Sequence, residues 1–102
     1  MIIEFNNQSL EQLLKDNNKV IIDLYATWCG PCQMLATQLE AFAKQHNDWT
    51  IIRVDSEKHN DVTSLYNLQA VPTMIIVVNN EFKEKIIGFK PLIEIEKITS
   101  KY

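Results

Sequence analysis

Val20-Ile21-Ile22-Asp23-Leu24-Tyr25-Ala26 is almost continuously apolar, and it leads directly into Thr27-Trp28-Cys29-Gly30-Pro31-Cys32. Apolar side chains at successive rather than alternate positions from Lys19 to Ala26 fit a strand covered on both faces, as inside a parallel sheet. Cys32 to His46 then carries Leu35, Leu39, Phe42 and Ala43 at helical spacing. A strand that enters a helix through a Cys-x-x-Cys turn places its first cysteine at the helix N-terminus. This unit restricts the chain to folds in which a central strand has helices over both faces.

The rest of the sequence supplies the partners. Ile2 to Phe5 is a short strand candidate. Ser9 fits an N-cap, with Gln12 three residues on as in a capping box. Leu10, Leu13 and Leu14 give the helix that follows one apolar face, ending near Asn17-Asn18. Thr50 to Val54 is a third strand, and Asn60 to Leu68 repeats a helical pattern through Val62, Leu65 and Tyr66. Thr73 to Val78 and Glu81 to Ile87 flank Asn79-Asn80, a pair that tolerates positive φ and suits a type I′ hairpin turn. Pro91 to Lys101 closes the chain as a helix, with Leu92, Ile95 and Ile98 on one face. The order β-α-β-α-β-α-β-β-α predicts an α/β chain with a mixed sheet and helices on both sides.

A length of 102 residues, with 46% hydrophobic and 23% charged, fits one globular domain over residues 1–102. A net charge of −3 without a basic block argues against a nucleic-acid partner. No apolar stretch approaches the ~20 residues of a membrane span. Met1-Ile2-Ile3-Glu4-Phe5 lacks the basic start and apolar length of a signal peptide. The expected location is therefore the cytoplasm, where lasting structural disulfides are rare. Cys29 and Cys32 are the only cysteines, so they are expected to be catalytic or metal-binding rather than a staple. Zinc usually needs four N or S ligands. No second cysteine pair exists and His46 and His59 are isolated, so no metal site is expected, although a metal shared across a dimer stays open.

Only a thiolate attacks a disulfide, and a thiol with a pKa of about 8.5 is roughly 3% ionised at pH 7. At the helix start, unpaired N–H groups and the helix dipole favour negative charge on Cys29. Cys29 is therefore expected to be exposed and nucleophilic, and Cys32, one turn inside, buried and resolving. Pro31 suits the first helical turn because it needs no N–H donor there. Asp23 is the only charge between Lys19 and Cys29. It is either a proton-transfer group whose burial raises its pKa, or a carboxylate on a solvated strand face. Trp28 beside the nucleophile offers a flat apolar contact, core packing being the alternative.

The element order, with the cysteine pair after the second strand, resembles the thioredoxin family over essentially the whole chain. Ile22 to Cys32 is similar to that family's active-site segment. Arg53-Val54-Asp55 resembles its third strand, Ala70-Val71-Pro72-Thr73 its cis-proline segment, and Gly88 the glycine after its last strand. The resemblance implies a thioredoxin fold, a central mixed sheet of about five strands flanked by about four helices. It implies a protein-disulfide reductase with Cys29, Cys32 and Asp23 catalytic, Asp23 exchanging a proton with Cys32. The Gly-Pro centre implies a reductant rather than an oxidase or isomerase.

For substrate binding the resemblance points to Trp28, Gly30, Pro31, Val71, Pro72 and Gly88, with Phe89 a weaker candidate. Proline cannot continue a sheet ladder, so Val71 is expected to keep backbone groups free for an extended client segment. A strand-starting proline is the alternative for Pro72. The implied partners are disulfide-containing client proteins and thioredoxin reductase or a similar enzyme, with the chain itself a monomer. No cofactor is expected to be bound; electrons would come indirectly from NADPH.

Arg53 stands where thioredoxins often carry lysine. It either reaches Asp23 and holds that carboxylate ionised more firmly, or lies exposed. Tyr25, Gln33, Thr37, Asn67, Ala70 and Asn80 also depart from the usual pattern. Thr37 replaces a helix-kinking proline and predicts a straighter helix. Asn67 and Asn80 replace glycines and can accept left-handed geometry. Tyr25, Phe42 and Tyr66 otherwise fit core or fill, and Trp49, His46 and His59 carry no chemical signal. These departures keep open a thioredoxin-fold binding module with dispensable cysteines, or a specialised relative with a non-standard reductase or client. A dithiol metal carrier is a further option.

Overall fold

The computed structural model describes residues 1–102. In chain order the elements are β1 (Ile2–Glu4), α1 (Leu10–Asp16), β2 (Lys19–Tyr25), α2 (Gly30–Gln45), β3 (Thr50–Asp55), α3 (Asn60–Leu65), β4 (Thr73–Val78), β5 (Glu81–Ile87) and α4 (Leu92–Thr99). The five strands form one sheet ordered β1-β3-β2-β4-β5. β1, β3 and β2 run parallel, and β4 and β5 are antiparallel to their neighbours. β2 is the central strand, which explains why its side chains are apolar on both faces.

Alternation along the strands divides the core into two layers. Ile21, Ile51, Met74 and Ile76 pack beneath α2 and α4 with Leu35, Leu39, Phe42 and Ile95. Val20, Ile22, Leu24, Ile52, Ile75 and Val77 face the other way, against Val62 of α3 and Leu10, Leu13 and Leu14 of α1. Asp23 follows the period of Ile21 and therefore lies on the α2 side. No helix is long and apolar enough to cross a membrane.

Local chemistry accounts for the element ends. Ser9 caps α1, its Oγ accepting the Gln12 N–H at 3.1 Å. The Gln12 side chain turns to Asp16 instead of completing the capping box. β1 and β2 each end one residue earlier than the sequence suggested, and β3 runs one residue further. α3 stops at Leu65 rather than Leu68 because Asn67 adopts φ 51°, which breaks the helical path. α2 begins two residues before the expected Cys32 and runs unbroken past Thr37. Pro91 gives α4 no side-chain cap, so that helix spans Leu92–Thr99 rather than Pro91 to Lys101. Gln38 of α2 supplies the missing acceptor, taking the Leu92 N–H at 2.8 Å.

Val78 pairs with Glu81 across a two-residue turn in which Asn79 and Asn80 have φ 53° and 62°. Positive φ at both positions is the type I′ requirement. Beyond β5, Gly88 sits at φ 95°, where a side chain is strained even though open space surrounds it. Gly88→Ala is expected to cost about 1–3 kcal/mol of stability. Urea unfolding should show this as a lower midpoint at unchanged slope, and an unchanged midpoint would contradict it.

Candidate active site

The carboxyl end of β2 delivers Ala26, Thr27 and Trp28 to the start of α2. Cys29 is the N-cap of that helix, and its Sγ accepts the backbone N–H of Cys32 at 3.2 Å. Pro31 occupies the first turn, where its missing N–H costs nothing. Cys29 and Cys32 are joined as a disulfide with Cα atoms 5.2 Å apart. The helix start thus provides both the spacing for the bond and a donor aimed at the Cys29 sulfur.

Cys29 is 5% exposed and Cys32 1%. The expectation that Cys29 would be exposed is corrected. Bonded to Cys32, it packs against Ala26, with Tyr25 and Val71 over the same small cluster. Its outlet is a cleft of about 580 Å³ shared with Trp28, Gly30, Pro31, Ser56, Leu68, Gln69, Ala70 and Val71. Of these, Ser56, Leu68 and Gln69 lie in loops with no sequence signal that marked them for the site.

The Val71 carbonyl oxygen lies 4.0 Å from Cys29 Sγ. Neither the N–H nor the C=O of Val71 enters a backbone hydrogen bond, so both remain available on the cleft wall. The Val71–Pro72 peptide is cis. Pro72 is buried and, like Gly88, does not line the cleft. The Gly88 N–H donates to the Pro72 carbonyl at 2.8 Å, which ties the end of β5 to this loop. Phe89 packs against the core beneath α2 and α4 instead of joining the cleft.

Trp28 is 70% exposed, so it is not a core residue. Its Nε1 donates to Glu57 Oε1 at 3.1 Å, which fixes the indole over the cleft rim. Glu57 stands 29 positions away in the chain, and nothing in the sequence linked the two.

Asp23 is fully buried, which removes the solvated-face alternative. It pairs in register with Arg53, whose Nε donates to Asp23 Oδ2 at 3.1 Å. Asp23 Oδ1 is the one buried side-chain oxygen or nitrogen with no hydrogen-bond partner. Burial pushes the Asp23 carboxyl from 3.8 up to about 6, although the Arg53 hydrogen bond and charge pull it down and Glu4 adds a small push upward. Arg53 reaches the carboxylate, but it does not hold it at an ordinary carboxylate value, because the cost of burial is the larger effect. On this side a second cleft of about 280 Å³ places Cys32, Gln33, Tyr25 and Arg53 on one wall system. Tyr25 is more than fill. Its ring lies 4.1 Å from the Arg53 guanidinium carbon, and its hydroxyl donates to Glu4 Oε2 at 2.5 Å.

The family model for thioredoxin matches residues 1–101. The thioredoxin of Mycoplasmoides gallisepticum is 39% identical over 93 residues, covering 91% of this chain and 93% of that one. Among solved structures, a mutant thioredoxin from Halobacterium salinarum superposes with a TM-score of 0.92 at 29% identity, over 99% of this chain and 89% of that one. Oxidised mitochondrial thioredoxin 3 from Saccharomyces cerevisiae gives 0.87 at 30% identity, over 97% and 94%. Whole-length agreement in sequence and backbone accompanies a cysteine pair at the required spacing on a helix start. The chain therefore belongs to the thioredoxin family, and its Cys29–Cys32 pair makes it a thiol–disulfide oxidoreductase.

Proposed function

We propose that residues 1–102 act as one monomeric domain that reduces disulfides in client proteins, with Cys29 attacking and Cys32 resolving. The observation that carries this is the Cys29 sulfur at the N-cap of α2, facing the Cys32 N–H and opening to the cleft beside Val71. A Cys29 thiolate there gains from the helix end and from the N–H donor, whereas a Cys32 thiolate, one turn inside, gains less.

In the reduced protein, Cys29 Sγ⁻ attacks one sulfur of the client disulfide. A Cys29–client bond forms, and the other client sulfur leaves as a thiolate. Cys32 then loses its proton to the Asp23 carboxylate and attacks Cys29 Sγ. The Cys29–Cys32 bond closes and the second client thiolate departs. Two electrons pass from the dithiol to the client, and the two client thiolates take up protons. An extended client strand would pair with the free N–H and C=O of Val71 and rest on Trp28, Gly30 and Pro31. Pro72 and Gly88 support this wall from behind. A thioredoxin reductase drawing on NADPH would return the disulfide to the dithiol with no bound cofactor in this chain. Work in the cytoplasm, as part of cellular electron transport and redox balance, fits this chemistry.

Reduction of insulin by dithiothreitol tests the activity, and Cys32→Ser tests the roles. That variant should stall as a mixed disulfide through Cys29, visible by mass as protein plus client and released by reductant. Trapping through Cys32 in Cys29→Ser instead would reverse the assignment.

A further inference from the structure

Arg53 is held by more than Asp23. Its guanidinium carbon stacks 4.1 Å from the Tyr25 ring centre, and its Nη1 lies 3.8 Å from Glu4 Oε1. The Tyr25 hydroxyl closes the loop by donating to the same Glu4 carboxylate. An arginine beside a carboxylate ordinarily offers a two-pronged fork. Here it gives Asp23 a single hydrogen bond from Nε to Oδ2, while Nη1 turns toward Glu4 and Oδ1 stays unpaired.

We propose that Glu4 and Tyr25 are positioning residues for proton transfer at Cys32: together they hold Arg53 in the one-point contact that leaves Asp23 Oδ1 open to take the proton. This rests on the reading of Asp23 as the proton acceptor for Cys32. Freed from Glu4 or from the tyrosine hydroxyl, the guanidinium can turn its fork onto Asp23 and occupy both oxygens. The carboxylate would then be held ionised more firmly and would be a weaker base. The charged and titratable groups around this cluster are few. They are Arg53 and Asp55 on β3, Glu4 on β1, Tyr25 on β2, and Cys32 and Glu40 on α2, which share the second cleft with Arg53. β4 places uncharged Met74 opposite Asp23. Lys58 and His59 share a separate hollow with Glu4, Tyr25 and Asp55.

The test follows reduced protein mixed with excess Ellman-type aromatic disulfide in a stopped-flow instrument. The first phase is attack by Cys29. The second, independent of reagent concentration, is closure by Cys32 with release of the second aromatic thiolate. The acid limb near pH 6 should disappear in Asp23→Asn, leaving only the rise at higher pH as Cys32 itself ionises. In Glu4→Gln and in Tyr25→Phe the limb should move about one pH unit lower, with a slower plateau. In an Arg53→Gln background, Glu4→Gln should leave only the small downward displacement that loss of its own charge causes, well short of one pH unit.

A limb unmoved in Tyr25→Phe, or a Glu4→Gln displacement that persists at full size without Arg53, overturns the inference while leaving the role of Asp23 intact. A limb that stays near pH 6 in Asp23→Asn overturns that role, and the inference with it. Direct NMR titration of the Asp23 carboxyl in the oxidised protein provides the same comparison without turnover. There, too, both variants should titrate about one pH unit below the parent protein.

Discussion

Cys29→Ser is expected to lower the rate of disulfide reduction at least about a thousandfold, because a serine hydroxyl neither ionises near neutral pH nor attacks sulfur at a useful rate. The fold should survive this change. The side chain is small, the serine oxygen can still accept the Cys32 N–H as an N-cap, and serine is a favoured capping residue. Loss of activity with an unchanged circular dichroism spectrum is therefore the expected pair of results. A Cys29→Ser protein that still reduced insulin would exclude the proposed mechanism. Cys32→Ser should differ in kind: it keeps the first attack and loses the second, so one equivalent of client is captured and none turned over.

The second large effect concerns Asp23. Its carboxyl lies at about 6 in the fold against an ordinary value of 3.8, chiefly because burial penalises the charge. That rise costs the ionised fold about 3 kcal/mol. Below about pH 4 the group is protonated in both folded and unfolded chains, and no penalty applies. Between about pH 4 and 6 the folded chain keeps a proton that the unfolded chain has released, so stability falls as pH rises. Above that window the penalty is complete and constant.

Asp23→Asn carries no charge and should escape the decline. We expect the oxidised variant to be about 2–3 kcal/mol more stable at pH 7, and nearly equal to the parent near pH 4. Parallel urea stabilities from pH 4 to pH 7 would show that burial of this charge is not destabilising. The same substitution should slow closure by Cys32 about ten- to a hundredfold, since it removes the proton acceptor. More stability with less activity is the combination expected when a charge is kept buried for its chemistry.

Much of this architecture was readable in the residues themselves. The doubly apolar β2 run required a central strand, and Asn79-Asn80 required a turn with two positive φ values. Ser9 and Cys29 marked two helix starts. Local chemistry decides such features, so a sequence displays them. The elements that were misplaced depend on single backbone choices or on distant side chains. Asn67 ended α3 early by turning left-handed, and Gln38 capped α4 from another helix.

In the site, the cysteine pair was evident from its spacing, and Asp23 stood out as an isolated charge in an apolar run. The burial of Cys29 was not, because it depends on Val71 arriving from a loop 42 positions away. The bonds from Trp28 to Glu57 and from Tyr25 to Glu4 likewise join residues far apart in the chain. No periodicity encodes a contact of that kind.

The cleft is assembled from separate loop pieces and the first turn of α2. Trp28 to Pro31 follow β2, Ser56 follows β3, and Leu68 to Val71 precede β4. Of these pieces only Leu68 joins an apolar layer, packing against the one that faces α1 and α3. A library randomising Ser56, Gln69 and Ala70 could therefore retune client preference in modular fashion while the electron-carrying pair and its scaffold stay constant.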